Sequence, residues 1–276
     1  MGVGETIRGG WRDIREIPSK VLSTLLPRRT VCSRGLRFTL QCDNHITQYR
    51  WKSYNTKEPE TLDWIDRYMK DGETFFDIGA NIGVYTIYAA LRHPTARVIA
   101  FEPEYANLHL LRDNVMANGL QDRVEIYSIA LGNRTGISQL HIQDLTPGAA
   151  LHTESKDALE VTRTHKPVIW REGICIFTLD AFCEETHVLP HCLKIDVDGT
   201  EIEILEGASH TLRSPTLRCL IMEMFGGPAT REACARLLQA AGLHREWGNL
   251  QTGDNEIWVR DGEQALIPIM NEANAP

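Results

Sequence analysis

Two groups of acidic and small residues in this sequence have spacings that could do chemistry. In the first, residues 74–86 (TFFDIGANIGVYT), an apolar run leads to Asp77 and then to a turn containing Gly79, Asn81 and Gly83. This order predicts a strand, a tight turn and a helix. Glycine allows the backbone to turn sharply and lets a ligand approach closely. The free N–H groups at the start of the helix would face whatever the turn holds.

A second apolar run, residues 97–101, ends in another acid, Glu102. An acid at the end of the second strand can accept hydrogen bonds from ribose hydroxyls, so the two stretches predict a nucleoside site. A dinucleotide fingerprint, G-x-G-x-x-G, would need glycine where this chain has Asn81 and Val84. The pattern therefore favours S-adenosylmethionine over NAD, with Asp77 placed to bind around the ammonium group of the methionine part.

The second group is the stretch LKIDVDGTEIEILEGA at residues 193–208. Its apolar strand delivers Asp196 to the carboxyl edge of the predicted sheet, where open α/β sheets bind ligands. Asp198 and Glu201 follow closely, and Lys194 precedes them. Asp198 could equally stabilise a turn and Glu201 could cap its helix, whereas Asp196 is the strongest functional candidate.

Metal binding is the less favoured interpretation of these side chains. The carboxylates could hold Mg²⁺, but plain hydrogen bonding is expected instead. Four residues within a short stretch, Cys183, His187, His191 and Cys192, resemble a zinc set. The two cysteines fall in a predicted helix and at a strand start, where cysteine behaves as a small apolar residue, so we predict no metal.

The elements that would position these residues alternate between strand and helix from residue 74 onwards. Two strands near 243–247 and 255–260 form a closing hairpin, so we expect a mixed doubly wound sheet whose last strand is antiparallel. The N-terminal part, residues 1–60, is expected to be an extension made of a helix over 1–30 and a hairpin over 34–53, broken at Asp43 and Asn44. Residues 144–172 interrupt the alternation, and an irregular insertion of that length is usually functional.

Composition excludes several classes of protein. The chain has 276 residues, 42% of them hydrophobic and 24% charged, with a net charge of −8, which is typical of a soluble globule and argues against nucleic-acid binding. No apolar run has the length of a transmembrane span, about 20 residues, and no secretory signal design is visible. Seven cysteines without paired spacing favour a reducing, cytoplasmic location. The first six residues match the loose N-myristoylation pattern, which is common by chance.

Several motifs occur together in one order, and with them the chain resembles the FkbM family of S-adenosylmethionine-dependent methyltransferases. The most specific is the stretch at 193–208. The others are DIGANIGVYT at 77–86, IAFEPE at 99–104, IALGNRTG at 129–136, FTLDAF at 177–182 and IMEM at 221–224. The resemblance covers roughly residues 74–242, inside a methyltransferase domain expected over 61–276. The family usually has Glu where this chain has Asp198.

The resemblance implies a class I methyltransferase fold, a Rossmann-like seven-stranded mixed sheet with helices on both faces, plus the N-terminal extension. It also implies roles for individual residues. Asp77, Gly79, Asn81 and Gly83 would line the methionine end of the cofactor, and Tyr85 and Thr86 could reach its carboxylate. Glu102 would hold the ribose, and Ser128 and Ile129 would flank the adenine.

The resemblance further implies O-methylation of a hydroxyl on a sugar, glycan, lipid-linked saccharide or secondary metabolite. Asp196 is the first candidate for the base, Glu201 the second, and His152 or His165 the third. The alternatives are an N-methyltransferase, an NAD-dependent oxidoreductase and a non-catalytic nucleoside-binding module. The expected partners are a small-molecule or glycan acceptor and, through the N-terminal extension, a second copy of the chain.

Overall fold

The computed structural model describes residues 27–150, 152, 154, 167–224, 227–248 and 255–263. Twelve strands occur in this described part of the chain. They are β1 (Arg28–Ser33), β2 (Leu36–Gln41), β3 (Thr74–Ile78), β4 (Arg97–Phe101), β5 (Val124–Tyr127), β6 (Ala130–Leu131), β7 (Gly136–Ile142), β8 (Trp170–Phe177), β9 (Cys192–Ile195), β10 (Cys219–Glu223), β11 (Leu243–Gly248) and β12 (Asn255–Arg260).

The helices of the described residues alternate with the strands of the main sheet. They are α1 (His45–Lys52), α2 (Pro59–Tyr68), α3 (Val84–Arg92), α4 (Tyr105–Ala117), α5 (Leu179–Thr186), α6 (Glu201–Glu206), α7 (Ser209–Arg213) and α8 (Pro228–Ala240). None of these helices has the length and apolar character that crossing a membrane requires.

The main sheet has seven strands in the order β11-β12-β10-β9-β3-β4-β5. Strands β10, β9, β3, β4 and β5 are parallel to one another, and β12 is antiparallel to both β10 and β11. This confirms the predicted mixed sheet with an antiparallel last strand. The register pairs Ile78 with both Phe101 and Ile195, and Ile195 with Met222. Four strands therefore end at the same level, and the residues that follow them meet at one edge.

Two hydrophobic cores cover the two faces of the sheet, because its inner strands are continuous apolar runs buried on both sides. One core contains Leu62 and Trp64 of α2 together with Ile87 of α3. The other contains Phe101 and Phe182, whose rings lie 4.8 Å apart. This double burial holds the strand ends in a fixed position.

The prediction of a hairpin over 34–53 is wrong in its position. The hairpin is β1 and β2, which turn at Arg34 and Gly35, both with positive φ, and residues 45–52 form helix α1. Asn44 begins that helix, since its side chain accepts hydrogen bonds from the backbone N–H groups of Ile46 and Thr47. This cap outweighs the local alternation that favoured a strand.

Two further predictions for the N-terminal part fall partly or wholly outside the described residues. The myristoylation pattern and most of the helix expected over 1–30 lie there, and Arg28 and Arg29 belong to strand β1.

The chain forms a second, smaller sheet between β5 and β9, the third and fourth strands of the main sheet in chain order. Its order is β6-β8-β7, with β7 and β8 antiparallel. Strand β8 begins at Trp170, inside the stretch 144–172 that we expected to be irregular. Leu140, Ile142 and Ile174 form a local core there.

Candidate active site

A cleft lies at the edge where β3, β4, β9 and β10 end. It consists of two adjoining hollows that share Arg50, Lys57, Gly79, Asn81 and Asp196. The turn-side hollow, with a cavity volume of about 30 Å³, lies between segments 50–58 and 79–85. The strand-side hollow, with a cavity volume of about 250 Å³, lies between the ends of the strands and the side chains of Leu140, Ala149, Ala150 and His152. The Gly79 turn, Glu102 and Asp196 are therefore brought together, although up to 117 positions separate them in the sequence (196 − 79).

The glycines of the first turn are required by the packing of the protein itself. A Cβ at Gly79, where φ is +76°, would lie 1.9 Å from the backbone oxygen of Asp196, and one at Gly83, where φ is +82°, would lie 2.4 Å from Leu111 Cδ1. Both positions thus combine left-handed backbone with a close protein contact. The atoms nearest to these glycines belong to the chain, so the need for glycine does not by itself indicate a ligand. Of the two glycines, Gly79 is the one that lines the cleft.

Glu102 stands in the strand-side hollow as a buried carboxyl group that is 5% exposed. Its two oxygens accept hydrogen bonds from the backbone N–H groups of Asn81, at 2.8 Å, and Glu104, at 2.9 Å. Burial raises the pKa of Glu102 to about 8 against the opposing effect of these two donors. A carboxyl group has further lone pairs beyond these two, so Glu102 can still bind hydroxyl groups of a ligand.

Asp77 does not line the cleft but lies behind it, 1% exposed. Its Oδ2 accepts a 2.6 Å hydrogen bond from the Thr86 hydroxyl, and its Oδ1 lies 3.3 Å from Lys194 Nζ. Thr86 is fully buried. Asp77 was expected to bind the ammonium group of the methionine part, and Thr86 was expected to reach its carboxylate. In this structure the two side chains instead hydrogen bond to each other.

Lys194 joins Asp77 to Asp196, whose Oδ2 lies 2.9 Å from the ammonium nitrogen. Burial disfavours the charged lysine, but the two carboxylates outweigh it and raise the pKa of Lys194. Burial also acts to raise the pKa of Asp196, but the lysine charge lowers it well below its usual range. Asp196, with 28% of its side chain exposed, is thus an ionised carboxylate facing the cleft.

Glu223, the last residue of β10, is a cleft residue that sequence reasoning missed. It lies beside Asp196 because the register that pairs Met222 with Ile195 sets the next residues side by side. Burial and the neighbouring Asp196 charge raise the pKa of Glu223, which hydrogen bonds to Asp196. The signal was present in the sequence: an acid ends an apolar strand here, as at Asp196.

Glu201 and Asp198 occupy different environments. Glu201 is 1% exposed at the start of α6 and accepts a hydrogen bond from the Gly199 N–H at 3.2 Å, while its Oε2 has no hydrogen-bond partner among the described residues. Burial raises the pKa of Glu201 to about 8. Asp198 lines the strand-side hollow, whereas Glu201 is not among the residues that line either hollow.

Ser128 and Ile129, expected beside the adenine, lie away from the two hollows. Ser128 lines a separate groove between β5 and α4 with Tyr105 and Arg112, and Ile129 packs against the core that contains Phe101. Their contact with the adenine stays a prediction.

Segment 50–58 of the N-terminal part supplies one wall of the cleft, in keeping with an extension that caps the active site, although the sequence did not indicate which of its residues would do so. Arg50, Tyr54, Lys57 and Glu58 face Tyr85 across the turn-side hollow. These residues precede every motif quoted above, and only the folded chain places them there.

One of the histidines proposed as a base, His152, lines the strand-side hollow. Burial lowers its pKa to about 4, so it is neutral at physiological pH. His165 lies outside the described residues.

Within the described residues, no group of three or more metal-binding side chains is close enough to hold an ion. His191 of the zinc-like set accepts a hydrogen bond from the Thr74 N–H at 3.0 Å. Cys192 is fully buried, with its sulfur 3.5 Å from that of Cys219.

The chain is similar to known methyltransferases. The model of the methyltransferase FkbM domain matches residues 77–249. The 31-O-demethyl-FK506 methyltransferase FkbM of Streptomyces tacrolimicus is 31% identical over 97 residues, 35% of this chain and 36% of that protein. The hexuronic acid methyltransferase AglP of Haloferax volcanii is 25% identical over 229 residues, 82% of this chain and 85% of that protein.

A solved structure shares the fold. The methyltransferase FkbM of Methylobacillus flagellatus KT aligns with a TM-score of 0.50 at 14% identity, covering 91% of this chain and 60% of that one. Some curated relatives match over only part of their length: the match covers 36% of the Streptomyces protein and 59% of methyltransferase 1 from Beauveria bassiana.

Proposed function

The chain belongs to the methyltransferase FkbM family, and from that membership we propose that it is an S-adenosylmethionine-dependent methyltransferase acting on a hydroxyl group of a sugar, glycan or related small molecule. The observation that supports this most directly is the meeting of the Gly79 turn, Glu102 and Asp196 in one cleft. Open α/β sheets bind nucleosides at this edge. The bound cofactor would supply a methyl group already activated on a sulfonium.

The residues present fit that cofactor. Glu102 keeps lone pairs for ribose hydroxyls while two backbone N–H groups hold its carboxyl group in place. The strand-side hollow has a cavity volume of about 250 Å³, close to the lower end of the range of ligand sites, about 300 Å³. Its lining includes Glu102, Asp196 and Glu223, so a nucleoside held at Glu102 would lie in the same cleft as an acceptor at Asp196.

Asp196 is the proposed proton acceptor. An acceptor hydroxyl that attacks the methyl carbon becomes a positively charged oxygen, which is a strong acid, so even a weakly basic carboxylate can take its proton. The ion pair with Lys194 keeps Asp196 ionised at neutral pH, and its side chain is the exposed member of the Asp77–Lys194–Asp196 group. Positioning of the two reactants supplies most of the remaining catalysis.

Glu201 has a different role in this proposal. Its carboxyl group is enclosed behind the 198–200 turn and accepts the Gly199 N–H, so it supports the turn that follows Asp196. We therefore assign proton removal to Asp196 alone, with Glu223 as the neighbour that holds a shared proton.

The names of two relatives support the proposed acceptor class. One is named for a 31-O-demethyl substrate and another for hexuronic acid, which favours transfer to oxygen. Simple sugars and hexuronic acids are therefore the first acceptors to test.

The test is to incubate the protein with S-adenosylmethionine carrying a ¹³C methyl group and a panel of sugars and hexuronic acids. Mass spectrometry would detect the added methyl group, and its ¹³C chemical shift would distinguish an O-methyl from an N-methyl product. Asp196→Asn is expected to slow turnover by about 10²–10³-fold while cofactor binding persists. Binding of the cofactor without any product would favour the non-catalytic module, and binding of NAD alone would overturn the proposal.

A further inference from the structure

The cleft contains a group of charges that the proposed reaction does not use. Arg50 and Lys57 line both hollows, and Glu58 lines the turn-side hollow. Segment 50–58 contributes Arg50, Lys57 and Glu58 to one side, and the Gly79 turn with Tyr85 forms the other. The family match begins at residue 77, so these three charged residues belong to a part of the chain that the family model does not cover.

The position of this segment is fixed by hydrogen bonds to both walls of the cleft. The Tyr54 hydroxyl donates to the Val84 backbone oxygen at 3.2 Å, at the start of α3. Arg50 Nε donates to the Gly148 oxygen at 2.8 Å, and this bond does not use the terminal N–H groups of the guanidinium. The segment is thus held in place by the residues around the hollow.

The hollow offers both signs of charge side by side. The Lys57 ammonium pairs with the Glu58 carboxylate, and Glu58 is also hydrogen bonded to the Tyr85 hydroxyl. Of the two side chains, Lys57 is 44% exposed and Glu58 11%. A ligand group that carries a carboxylate and an ammonium on one carbon matches this arrangement.

The residue that the sequence offered for the ammonium group is already engaged. Asp77 is 1% exposed. Its Oδ2 accepts a hydrogen bond from Thr86, and its Oδ1, which has no hydrogen-bond partner among the described residues, forms an ion pair with Lys194 at 3.3 Å. The amino-acid end of a bound cofactor therefore needs other charged partners near the Gly79 turn, and the described residues of the turn-side hollow provide them.

We propose that segment 50–58 recognises the amino-acid end of S-adenosylmethionine, with Lys57 and Arg50 binding its carboxylate and Glu58 its ammonium group. This inference rests on the proposed function, because it presupposes that cofactor. It makes the N-terminal part of the chain a component of the cofactor site.

The experiment compares two ligands by calorimetric titration. S-adenosylhomocysteine carries the amino-acid end, and 5′-methylthioadenosine lacks it. The variants are Lys57→Gln and Arg50→Gln in the full chain. Lys52→Gln is the matched control, because Lys52 is an exposed lysine of α1 that does not line the hollow.

We expect Lys57→Gln and Arg50→Gln each to weaken S-adenosylhomocysteine binding by about tenfold and to leave 5′-methylthioadenosine binding unchanged. Lys52→Gln should change neither. Suppose that the wild-type chain binds both ligands and that the two variants bind S-adenosylhomocysteine with the affinity of the wild type. The inference is then overturned, and the proposed cofactor stands. If the wild-type chain binds neither ligand, both the inference and the proposed function fail.

Discussion

Lys194 is the buried residue on which the charge balance of the site depends. It lies within 3.3 Å of Asp77 and 2.9 Å of Asp196, with 4% of its side chain exposed. Removing one partner of a buried pair leaves an uncompensated charge. We expect Lys194→Met to lower the free energy of unfolding by about 3–5 kcal/mol at pH 7, measured by urea denaturation.

The loss should shrink as the pH falls, because Lys194 lowers the pKa of Asp196 in the wild type, so Asp196 takes up a proton more readily in the variant. Lys70→Met is the matched control. Lys70 pairs with Glu263 at the surface, with 42% of its side chain exposed, and its loss should cost about 1 kcal/mol or less. Equal losses for the two variants would contradict the role of Lys194.

Substitution of Gly79 by alanine tests whether packing alone requires glycine in the turn. Alanine there would meet both the positive φ and the Asp196 backbone oxygen at 1.9 Å, whereas at Gly72, with φ +81°, an added Cβ would have nothing within 4 Å of it. We expect Gly72→Ala to cost about 1–2 kcal/mol of stability and Gly79→Ala clearly more. Chemical denaturation of both variants measures the difference, and similar costs would show that the close contact relaxes freely.

Glu201 gives a prediction about pH. Burial raises its pKa to about 8, compared with about 4.3 in an unfolded chain. Between these values the folded state binds more protons than the unfolded state, so this group makes stability fall as the pH rises. We expect Glu201→Gln to match the wild type near pH 5 and to be more stable near pH 8.

The measurement is thermal or urea unfolding across that pH range. Glu206→Gln, an exposed change on the same helix, should keep the pH slope of the wild type. Parallel curves for wild type and Glu201→Gln would show that Glu201 titrates normally in the folded protein.

At the scale of elements, the start of α1 determines where the wall of the cleft lies. Asn44 caps the helix through the N–H groups of Ile46 and Thr47, and its Nδ2 donates to the Pro147 oxygen at 3.0 Å. We expect Asn44→Ala to cost about 1–2 kcal/mol and to increase hydrogen exchange in residues 46–52 while β3 and β4 keep their protection.

Asn44→Ser is the informative control, because serine retains a capping oxygen but lacks the amide group that donates to Pro147. It should restore most of the protection of α1. If the alanine variant exchanges like the wild type throughout α1, the cap does not hold this wall.

The same helix shows why some elements could be predicted and others not. The inner strands and helices of the main sheet follow from long apolar patterns, and strands such as 255–260 agree with the structure at both ends. Residues 45–52 show only a weak alternation of apolar and polar residues. Whether they form a strand or a helix depends on the side-chain hydrogen bonds of Asn44, which the periodicity of the sequence does not report. Strand β8 was partly missed because its first four residues are mostly exposed.

At the scale of the molecule, the acids that end strands could be found from sequence because parallel strands end at one edge. Glu102 and Asp196 are in the cleft for that reason, and Glu223 follows the same rule. The wall formed by Arg50 to Glu58 could not be found in this way, since nothing local relates these residues to the Gly79 turn. Their position depends on the packing of the hairpin and α1 against the sheet helices.

Because of that packing, we expect the hairpin and α1 to unfold together with the main sheet. Leu40 of β2 is fully buried in the same core as Ile87 of α3 and Leu111 of α4. The hairpin and α1 therefore share a core with the sheet, although the sequence suggested a separate extension. We expect Leu40→Ala to destabilise the whole molecule by about 2–5 kcal/mol in a single transition, with far-UV circular dichroism and hydrogen exchange of β10 reporting the same loss.

Ile137→Ala, at a site that is 83% exposed, should change stability by less than about 0.5 kcal/mol. A separate early transition that leaves β10 protected would instead show that the hairpin unfolds as an independent unit, and the cleft wall it carries would then be able to detach from the cofactor site.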